Sequence, residues 1–304
     1  MLLVLFFMLI LAMIAITYFL PPPHHDFFEL YPENDVFAQK LKEFRARPLK
    51  KIELNGESWF YYSGGKGTKT LLFIHGMGGA YDIWWNQIIA FENQFKTIAF
   101  TLPQKVNTLE KAEKGILKIL QAEKIQQFSV IGTSMGGYIV QYLTQHHPER
   151  IEQAIFGNTF PPNDLLLNKN RTKRKMIPFL PEILLYWLSK KNLINVILPA
   201  AQNNALLYAV LQGLPFNKKQ FINRLDIVLQ PFPIPVKNNS VPLLIFESDN
   251  DPLIPKILRE QLKHLYPDAK VHTFHQQGHF PYLNAASEYN QVLNHFLNDF
   301  QSSN

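Results

Sequence analysis

Apolar residues along most of this chain fall into short blocks with two different spacings. Continuous apolar runs such as Thr70–His75 and Phe128–Gly132 are typical of parallel strands that are buried on both faces. Between such runs lie stretches in which apolar residues recur three and four positions apart, as in Ala80–Asn93, and this spacing is typical of helices that pack on one side. The alternation indicates βαβ units, and therefore a mainly parallel sheet with helices on both faces.

The pattern predicts specific elements from Lys51 onward. The predicted strands are Lys51–Leu54, Trp59–Tyr62, Thr70–His75, Thr97–Leu102, Phe128–Gly132, Ile151–Phe156, Val241–Phe246 and Lys270–Phe274. The predicted helices are Ala80–Asn93, Leu109–Ile125, Met135–His146, Pro255–Leu265 and one near Ala285–Phe300. Asn55-Gly56 between the first two strands is a strong hairpin signal. We therefore expect one α/β domain over residues 51–304.

The alternation is interrupted between Phe160 and Ser240. This stretch of about eighty residues is rich in Leu, Pro and aromatic side chains and is too long for a plain loop. Because the strand and helix alternation resumes at Val241, we interpret the interruption as a helical cap at about residues 161–240, inserted after the sixth strand.

The first twenty residues, Met1–Leu20, contain no charged side chain, and Pro21-Pro22-Pro23 stops any helix after them. A helix of that length would reach roughly 30 Å, the thickness of a bilayer core. We expect a single-pass N-terminal anchor over residues 1–20 and a membrane location on a side left open. Residues 21–50 are expected to form a stalk, in which a short helix follows Asn34 with Val36, Leu41 and Phe44 on one side. A cleaved signal peptide is the alternative, although a basic leader and a small-residue cleavage site are not obvious.

The amino-acid composition excludes several kinds of functional site. The chain has 304 residues, a formal net charge of +6 and no cysteine, so disulfides, thiolate metal sites and cysteine nucleophiles are excluded. The positive charge is not accompanied by a nucleic-acid motif, so no nucleic-acid partner is expected. The histidines lack ligand-like spacing with carboxylates, and we expect neither a metal nor a cofactor.

The segment Gly132-Thr133-Ser134-Met135-Gly136 lies where a predicted buried strand meets a predicted helix. A G-x-S-x-G segment between a strand and a helix is typical of a nucleophile elbow, a tight turn that raises a serine hydroxyl above the sheet. Glycines are needed there because a β-carbon would collide with neighbouring backbone. Ser134 is therefore the predicted nucleophile.

A second glycine-rich turn, His75-Gly76-Met77-Gly78-Gly79, ends an earlier buried strand. Its glycines would allow the loop to approach the nucleophile closely. The backbone N–H groups of Met77 and Met135 are the predicted oxyanion hole, in which each donor can stabilise the transition state by roughly 3–4 kcal/mol. His75 is expected to brace this loop rather than transfer protons.

A serine hydroxyl is a poor nucleophile without a base, and the sequence offers candidates in the expected order. His279 follows the last predicted strand and is the predicted general base, with His275 as the nearest competitor. Asp251 follows the strand Val241–Phe246 and is the predicted acid, with Asp249 as the alternative. The order Ser134, Asp251, His279 completes a nucleophile–acid–base triad.

These motifs resemble the α/β-hydrolase superfamily over the chain from about Lys51 to the end. Three further stretches resemble its maspardin-like branch: Gly157-Asn158-Thr159-Phe160, Leu265-Tyr266-Pro267-Asp268-Ala269 and Phe280-Pro281-Tyr282-Leu283. The resemblance implies the α/β-hydrolase fold with a cap above the site. It leaves activity open, because maspardin is regarded as a binding protein with a degraded triad, whereas the acid and histidine positions are intact here.

The expected function is a serine hydrolase of the carboxylic ester class that acts on a small-molecule acyl ester. The cap is strongly apolar, which favours an apolar or lipid-derived acyl chain. The run Lys169–Lys175 carries five cations in seven residues and is either a solvated segment or a contact for anionic lipid headgroups. The alternative function is a non-catalytic binding or adaptor protein on the same scaffold.

Overall fold

The computed structural model describes residues 2–233 and 241–299 of the chain. Its strands are β1 (Lys50–Leu54), β2 (Glu57–Gly64), β3 (Thr70–Ile74), β4 (Lys96–Phe100), β5 (Phe128–Thr133), β6 (Ile151–Gly157), β7 (Leu243–Ser248) and β8 (Lys270–Phe274). Its helices are α1 (Leu2–Thr17), α2 (Phe27–Leu30), α3 (Val36–Arg45), α4 (Trp85–Phe91), α5 (Leu109–Ala122), α6 (Met135–His146), α7 (Asp164–Met176), α8 (Glu182–Asn192), α9 (Leu198–Ala200), α10 (Ala205–Gln212), α11 (Lys218–Leu229), α12 (Lys256–Leu265), α13 (Pro281–Asn284) and α14 (Ala286–Asp299).

The eight strands form one sheet in the order β1-β2-β4-β3-β5-β6-β7-β8. The β1–β2 and β2–β4 pairs are antiparallel, and every pair from β4–β3 to β7–β8 is parallel. The carboxyl ends of β5, β6, β7 and β8 therefore meet at one edge of the sheet. The predicted α/β-hydrolase fold is confirmed.

Two hydrophobic cores cover the two faces of this sheet. Leu72 and Ile74 of β3 belong to one core, whereas Leu71 and Phe73 belong to the other, because side chains alternate across a strand. The first core includes buried residues of α5, α6 and α12. The second includes buried residues of α3, α4 and α14. Burial on both faces explains the continuous apolar runs that predicted the central strands.

The cap lies between β6 and β7 and is helical over its described part, from α7 to α11. The last residues of the predicted cap, 234–240, lie outside the described residues, as does Phe300 at the predicted end of the final helix. The basic run Lys169–Lys175 belongs to α7 rather than to a loop. Arg174 in this run pairs with Asp226 on α11 through its Nη2 at 2.8 Å, while Lys169, Arg171, Lys173 and Lys175 are not buried.

The prediction of a membrane anchor over Met1–Leu20 is wrong. Within the described residues, no helix is both long and apolar enough to cross a bilayer. Helix α1 has 16 residues, which reach only about 24 Å against the roughly 30 Å of a bilayer core. It ends where Tyr18 and Phe19 donate three residues back to Ala15 and Ile16 in a tighter turn. The membrane location and the membrane contact that were predicted from this segment are wrong for the same reason.

The short helix expected after Asn34 is present as α3, and residues 21–50, which were expected to form a stalk, pack on the folded body through α2 and α3. Phe27, Leu41 and Phe44 are buried in the same core as Phe73 of the central sheet. Asp35 begins α3 by accepting a hydrogen bond from the Phe37 N–H at 2.8 Å. Helix α3 therefore packs its apolar side on the core and does not form part of an extended stalk.

The packing of α3 predicts a specific loss of stability. Phe44 is fully buried, with its ring centroid 5.0 Å from that of Tyr62. Phe44→Ala should reduce the free energy of unfolding by about 3–5 kcal/mol, because it removes a large buried ring and leaves a cavity. Urea unfolding of the full chain measures this change. Val36→Ala, at an exposed position of the same helix, is the control and should change the free energy by less than about 0.5 kcal/mol. An equal, small change for both variants would show that α3 is not part of the cooperative unit.

Candidate active site

Ser134 occupies a strained turn between β5 and α6. Its φ of 56° and ψ of −120° are unusual for a residue with a side chain. A β-carbon on Gly132 would lie 2.3 Å from the Gly136 carbonyl oxygen, and one on Gly136 would lie 2.2 Å from that of Ile74. Only glycine at these two positions lets α6 approach the sheet this closely. The turn therefore has the geometry of a nucleophile elbow.

The end of the neighbouring strand β6 holds this turn from the side. The backbone N–H of Ser134 donates to the carbonyl of Gly157 at 2.8 Å, and the hydroxyl of Thr159 donates to the carbonyl of Ser134 at 2.7 Å. The Ser134 side chain is half-buried, and its hydroxyl has no hydrogen-bond partner among the described residues. The strained backbone is thus held by the protein while the hydroxyl remains free.

Asp251 and His279 form a buried pair at the same edge of the sheet. Asp251 follows β7, His279 follows β8, and His279 Nδ1 lies 2.8 Å from Asp251 Oδ2. The other oxygen of Asp251 accepts the backbone N–H groups of Leu253 at 2.8 Å and Ile254 at 3.1 Å. This pairing puts the proton of a neutral His279 ring on Nδ1 and leaves Nε2 able to accept one.

The environment of Asp251 favours its charged form. Burial by itself would raise the pKa of this carboxyl. The charge and hydrogen bond of His279, together with the amide of Asn158, outweigh burial and lower the pKa below its ordinary value. Asp251 can therefore stabilise a cationic His279 ring.

The competing pair, Asp249 and His275, lies outside this arrangement. Asp249 Oδ2 is 2.9 Å from His275 Nδ1, and Asp249 Oδ1 accepts the backbone N–H of Gln276 at 2.9 Å. Both side chains are exposed. The geometry therefore favours Asp251 over Asp249 as the acid and His279 over His275 as the base, and Asp249 has the contacts of a loop-stabilising residue.

Asn158 also contacts the predicted acid Asp251, a contact that the sequence did not predict. It follows β6 with a φ of 40°, is buried, and its Nδ2 donates to Asp251 Oδ2 at 3.0 Å, the same oxygen that faces His279. Its own N–H donates to the carbonyl of Phe246 in β7 at 2.8 Å. The available signal was an asparagine, which tolerates positive φ, directly after a strand expected between those that carry Ser134 and Asp251.

The loop after β3 approaches the elbow from the opposite side. A β-carbon on Gly76 would lie 3.3 Å from Ser134 Cβ, so the backbone of this loop passes next to the nucleophile. Neither the Met77 N–H nor the Met135 N–H donates to another group among the described residues. Met135 is the first residue of α6, where backbone N–H groups lack partners within the helix. The predicted oxyanion donors are thus unoccupied and lie on the two segments that flank Ser134.

His75 braces this loop, as expected. Its Nε2 accepts the backbone N–H of Leu102 at 3.1 Å, so the proton lies on Nδ1, which is 2.7 Å from the carbonyl of Gly76. Burial and the nearby charge of Arg224 lower the pKa of His75 to about 3. The ring is therefore neutral and links two loops below the cap.

A cavity of about 710 Å³ lies between the cap and the loop after β3. Met77, which belongs to the glycine-rich loop after β3, and Phe280, which follows His279, are among its lining residues. The cap supplies mainly apolar side chains, among them Ile177, Leu185 and Phe216. Its volume suits a small-molecule ligand. In the described part of the chain, no group of three or more histidine and acidic side chains could hold a metal.

Comparisons with known proteins agree with this architecture. A family described as the alpha/beta hydrolase fold matches residues 69–188. Human maspardin is 23% identical over 265 residues, which cover 84% of this chain and 85% of maspardin. The pimeloyl-(acyl-carrier protein) methyl ester esterase of Hamiltonella defensa is 24% identical over 260 residues, covering 80% of this chain and 98% of the esterase. A solved hydrolase from Pseudomonas aeruginosa PA01 has a TM-score of 0.72 at 18% identity and covers 83% of this chain and 99% of its own.

The fold and these matches define the class of the protein. The chain has the α/β-hydrolase fold, and its residues 69–188 match the model of that family. Over most of its length it is also similar to maspardin, as its motifs indicated.

The position of Asn158 predicts that it orients Asp251. Asn158→Gly keeps the positive φ but removes the amide, and it should slow covalent labelling of Ser134 by a fluorophosphonate roughly tenfold, because one hydrogen bond to a charged oxygen is lost. Asn158→Asp should slow it further by placing a second carboxyl beside Asp251. The second-order labelling rate measures both effects. A Gly variant that labels like the unmodified protein would mean that Asn158 serves only the backbone turn.

Substitutions of Asp251 and Asp249 should have very different effects on the rate at which Ser134 is labelled. Asp251→Asn should reduce the Ser134 labelling rate on the order of 10³-fold, because the amide no longer holds the required tautomer of His279. Asp249→Asn, which alters only an exposed pair, should leave the rate nearly unchanged. A larger effect from Asp249→Asn would reverse the assignment of the acid.

Proposed function

We propose that this protein is a serine hydrolase that cleaves a carboxylic ester through an acyl-enzyme on Ser134. The observation that carries the proposal is the connection of the strained Ser134 turn, through Gly157, Asn158 and Thr159, to the buried Asp251–His279 pair. These groups supply a nucleophile after β5, an acid after β7 and a base after β8, all at the carboxyl edge of one sheet.

The proposed reaction has two halves, acylation and deacylation of Ser134, and the same groups act in both. His279 Nε2 takes the Ser134 proton as Oγ bonds to the ester carbonyl carbon, and Asp251 stabilises the resulting imidazolium. The N–H groups of Met77 and Met135 donate to the carbonyl oxygen as it becomes negative. The carbon–oxygen bond to the alcohol then breaks, and His279 returns the proton to the leaving alcohol. In the second half, His279 Nε2 takes a proton from water as the water oxygen bonds to the acyl carbon. The bond from that carbon to Ser134 Oγ then breaks, and His279 returns the proton to Oγ as the acid leaves.

The apolar cavity next to Met77 and Phe280 supports an apolar or lipid-derived acyl chain. Among the relatives, one is named for methyl ester cleavage, and this supports the ester class for the present chain. Acyl esters of graded length test the substrate class.

A non-catalytic binding protein is the second candidate. One observation favours it: no hydrogen bond joins the Ser134 hydroxyl to His279 among the described residues. Such bonds are often long in free enzymes and shorten when substrate binds, so the geometry is compatible with either function.

A labelling and turnover experiment separates the two. The unmodified chain should be labelled by a fluorophosphonate probe, and Ser134→Ala should reduce labelling to background, because Ser134 is the proposed nucleophile. The unmodified chain should also hydrolyse p-nitrophenyl octanoate faster than p-nitrophenyl acetate. Labelling at Ser134 without ester turnover would favour the binding protein, and equal labelling of the Ser134→Ala variant would remove the proposal altogether.

A further inference from the structure

The cavity under the cap is mainly apolar, and its charged lining residues are all positive. Lys173, Lys190 and Arg224 line it, whereas no aspartate or glutamate does in the part of the chain that the structure describes. Lys173 is exposed at the rim. Lys190 and Arg224 are buried, with 7% and 0% of their surface exposed.

Lys190 extends from α8 to the end of α10. Its Nζ donates to the carbonyls of Leu211 at 3.0 Å and Gln212 at 3.1 Å and lies 5.3 Å from the centroid of the Tyr186 ring, so one of its three N–H donors has no hydrogen-bond acceptor. No carboxylate lies within ion-pair distance among the described residues. Burial lowers the pKa of Lys190 to about 8, which reflects a charge that the two carbonyls compensate only in part.

Arg224 on α11 is in a similar position. It donates to the backbone carbonyls of Leu102, Pro103 and Val106, and its Nε has no partner among the described residues. It also forms no ion pair there. The positive charge of Arg224 is close enough to lower the pKa of His75, which braces the glycine-rich loop. Arg224 therefore lies at the end of the cap that is nearer to Ser134.

Hydrogen bonds to backbone carbonyls explain the orientation of the Lys190 and Arg224 side chains. They do not explain why both buried side chains are positively charged. The cap supplies a carboxylate to another of its cations, since Asp226 pairs with Arg174 on the neighbouring helix. A buried cation without a counterion in an apolar cavity is unfavourable, and an anion in that cavity would relieve the cost.

We propose that the cavity binds an apolar arm of the substrate that carries an anionic group, a carboxylate or a phosphate, with Lys190 as its hydrogen-bond donor and Arg224 adding positive potential. This inference rests on the proposed ester hydrolase and specifies its substrate class. A plain alkyl ester would leave the remaining donor of Lys190 unsatisfied inside the cavity, so the protein would discriminate against it.

Binding to the full-length Ser134→Ala protein tests the inference without turnover. The probes are decanoate, decyl phosphate and decan-1-ol, which share a ten-carbon chain and differ in the terminal group. Isothermal titration calorimetry should show the better anion binding roughly tenfold more tightly than the alcohol, because a hydrogen bond to a charged group is gained. The comparison of decanoate with decyl phosphate identifies which anion the site prefers.

Variants of Lys190 assign the preference to this site. Lys190→Met should abolish it and leave decan-1-ol affinity unchanged, and Lys190→Gln, which retains hydrogen bonding to α10, should do the same. Lys190→Arg should keep the preference. Lys191→Met is the matched control, because Lys191 is the exposed neighbour on the same helix, and it should behave like the parent.

Equal affinities for the three probes would overturn the inference, as would a preference that survives in both neutral Lys190 variants or disappears in Lys191→Met. If the Met and Gln variants do not fold, the probe comparison in the parent protein still decides, since a missing preference there is sufficient to reject the site. Anion preference without labelling of Ser134 would reject only the proposed hydrolase, whereas ester turnover without anion preference would reject only this inference.

Discussion

The close approach of α6 to the central sheet is the constraint on which the rest of the site depends. It is possible only because Gly132 and Gly136 lack side chains where the backbones of β5, α6 and the end of β3 meet. This contact forces Ser134 into its unusual backbone conformation, which must be held by neighbouring groups. The hydrogen bonds from Ser134 to Gly157 and from Thr159 to Ser134 provide that support.

The end of β6 has a second task, because it lies between the strands that carry Ser134 and Asp251. The segment Gly157-Asn158-Thr159 contacts the serine turn on one side and the acid on the other. Asn158 also reaches the carbonyl of Gly278, the residue before His279, at 3.4 Å. One short segment therefore connects all three predicted triad positions, and a shift of its backbone would move them together.

The cap determines what can reach this edge of the sheet. Its inner surface is mainly apolar, yet it contains buried cations that are anchored to backbone carbonyls rather than to acids. Backbone carbonyls fix the position of a cation without neutralising it, so the positive potential of the cavity is preserved. Arg224 on α11 donates to the carbonyl of Leu102 in the loop after β4, and the N–H of Leu102 donates to His75. Hydrogen bonds therefore connect the cap to the glycine-rich loop after β3.

The sequence by itself determined the sheet, the insertion point of the cap and the serine turn, because each is encoded locally. Buried parallel strands need continuous apolar runs, and the tight turn needs glycines at fixed offsets from Ser134.

The local sequence pattern could not determine the structure of the N-terminal region. An uncharged run from Met1 to Leu20 fits a spanning helix, but only the three-dimensional structure shows that the helix stops at Thr17. The surface against which Phe27 and Phe44 pack is supplied by residues far along the chain, so a stalk and a packed helix have the same short apolar pattern. The different contacts of Asp251 and Asp249, the hydrogen bond from Asn158 to Asp251 and the lack of an acid beside Lys190 among the described residues likewise follow from tertiary structure, because each depends on which distant groups come within hydrogen-bond distance.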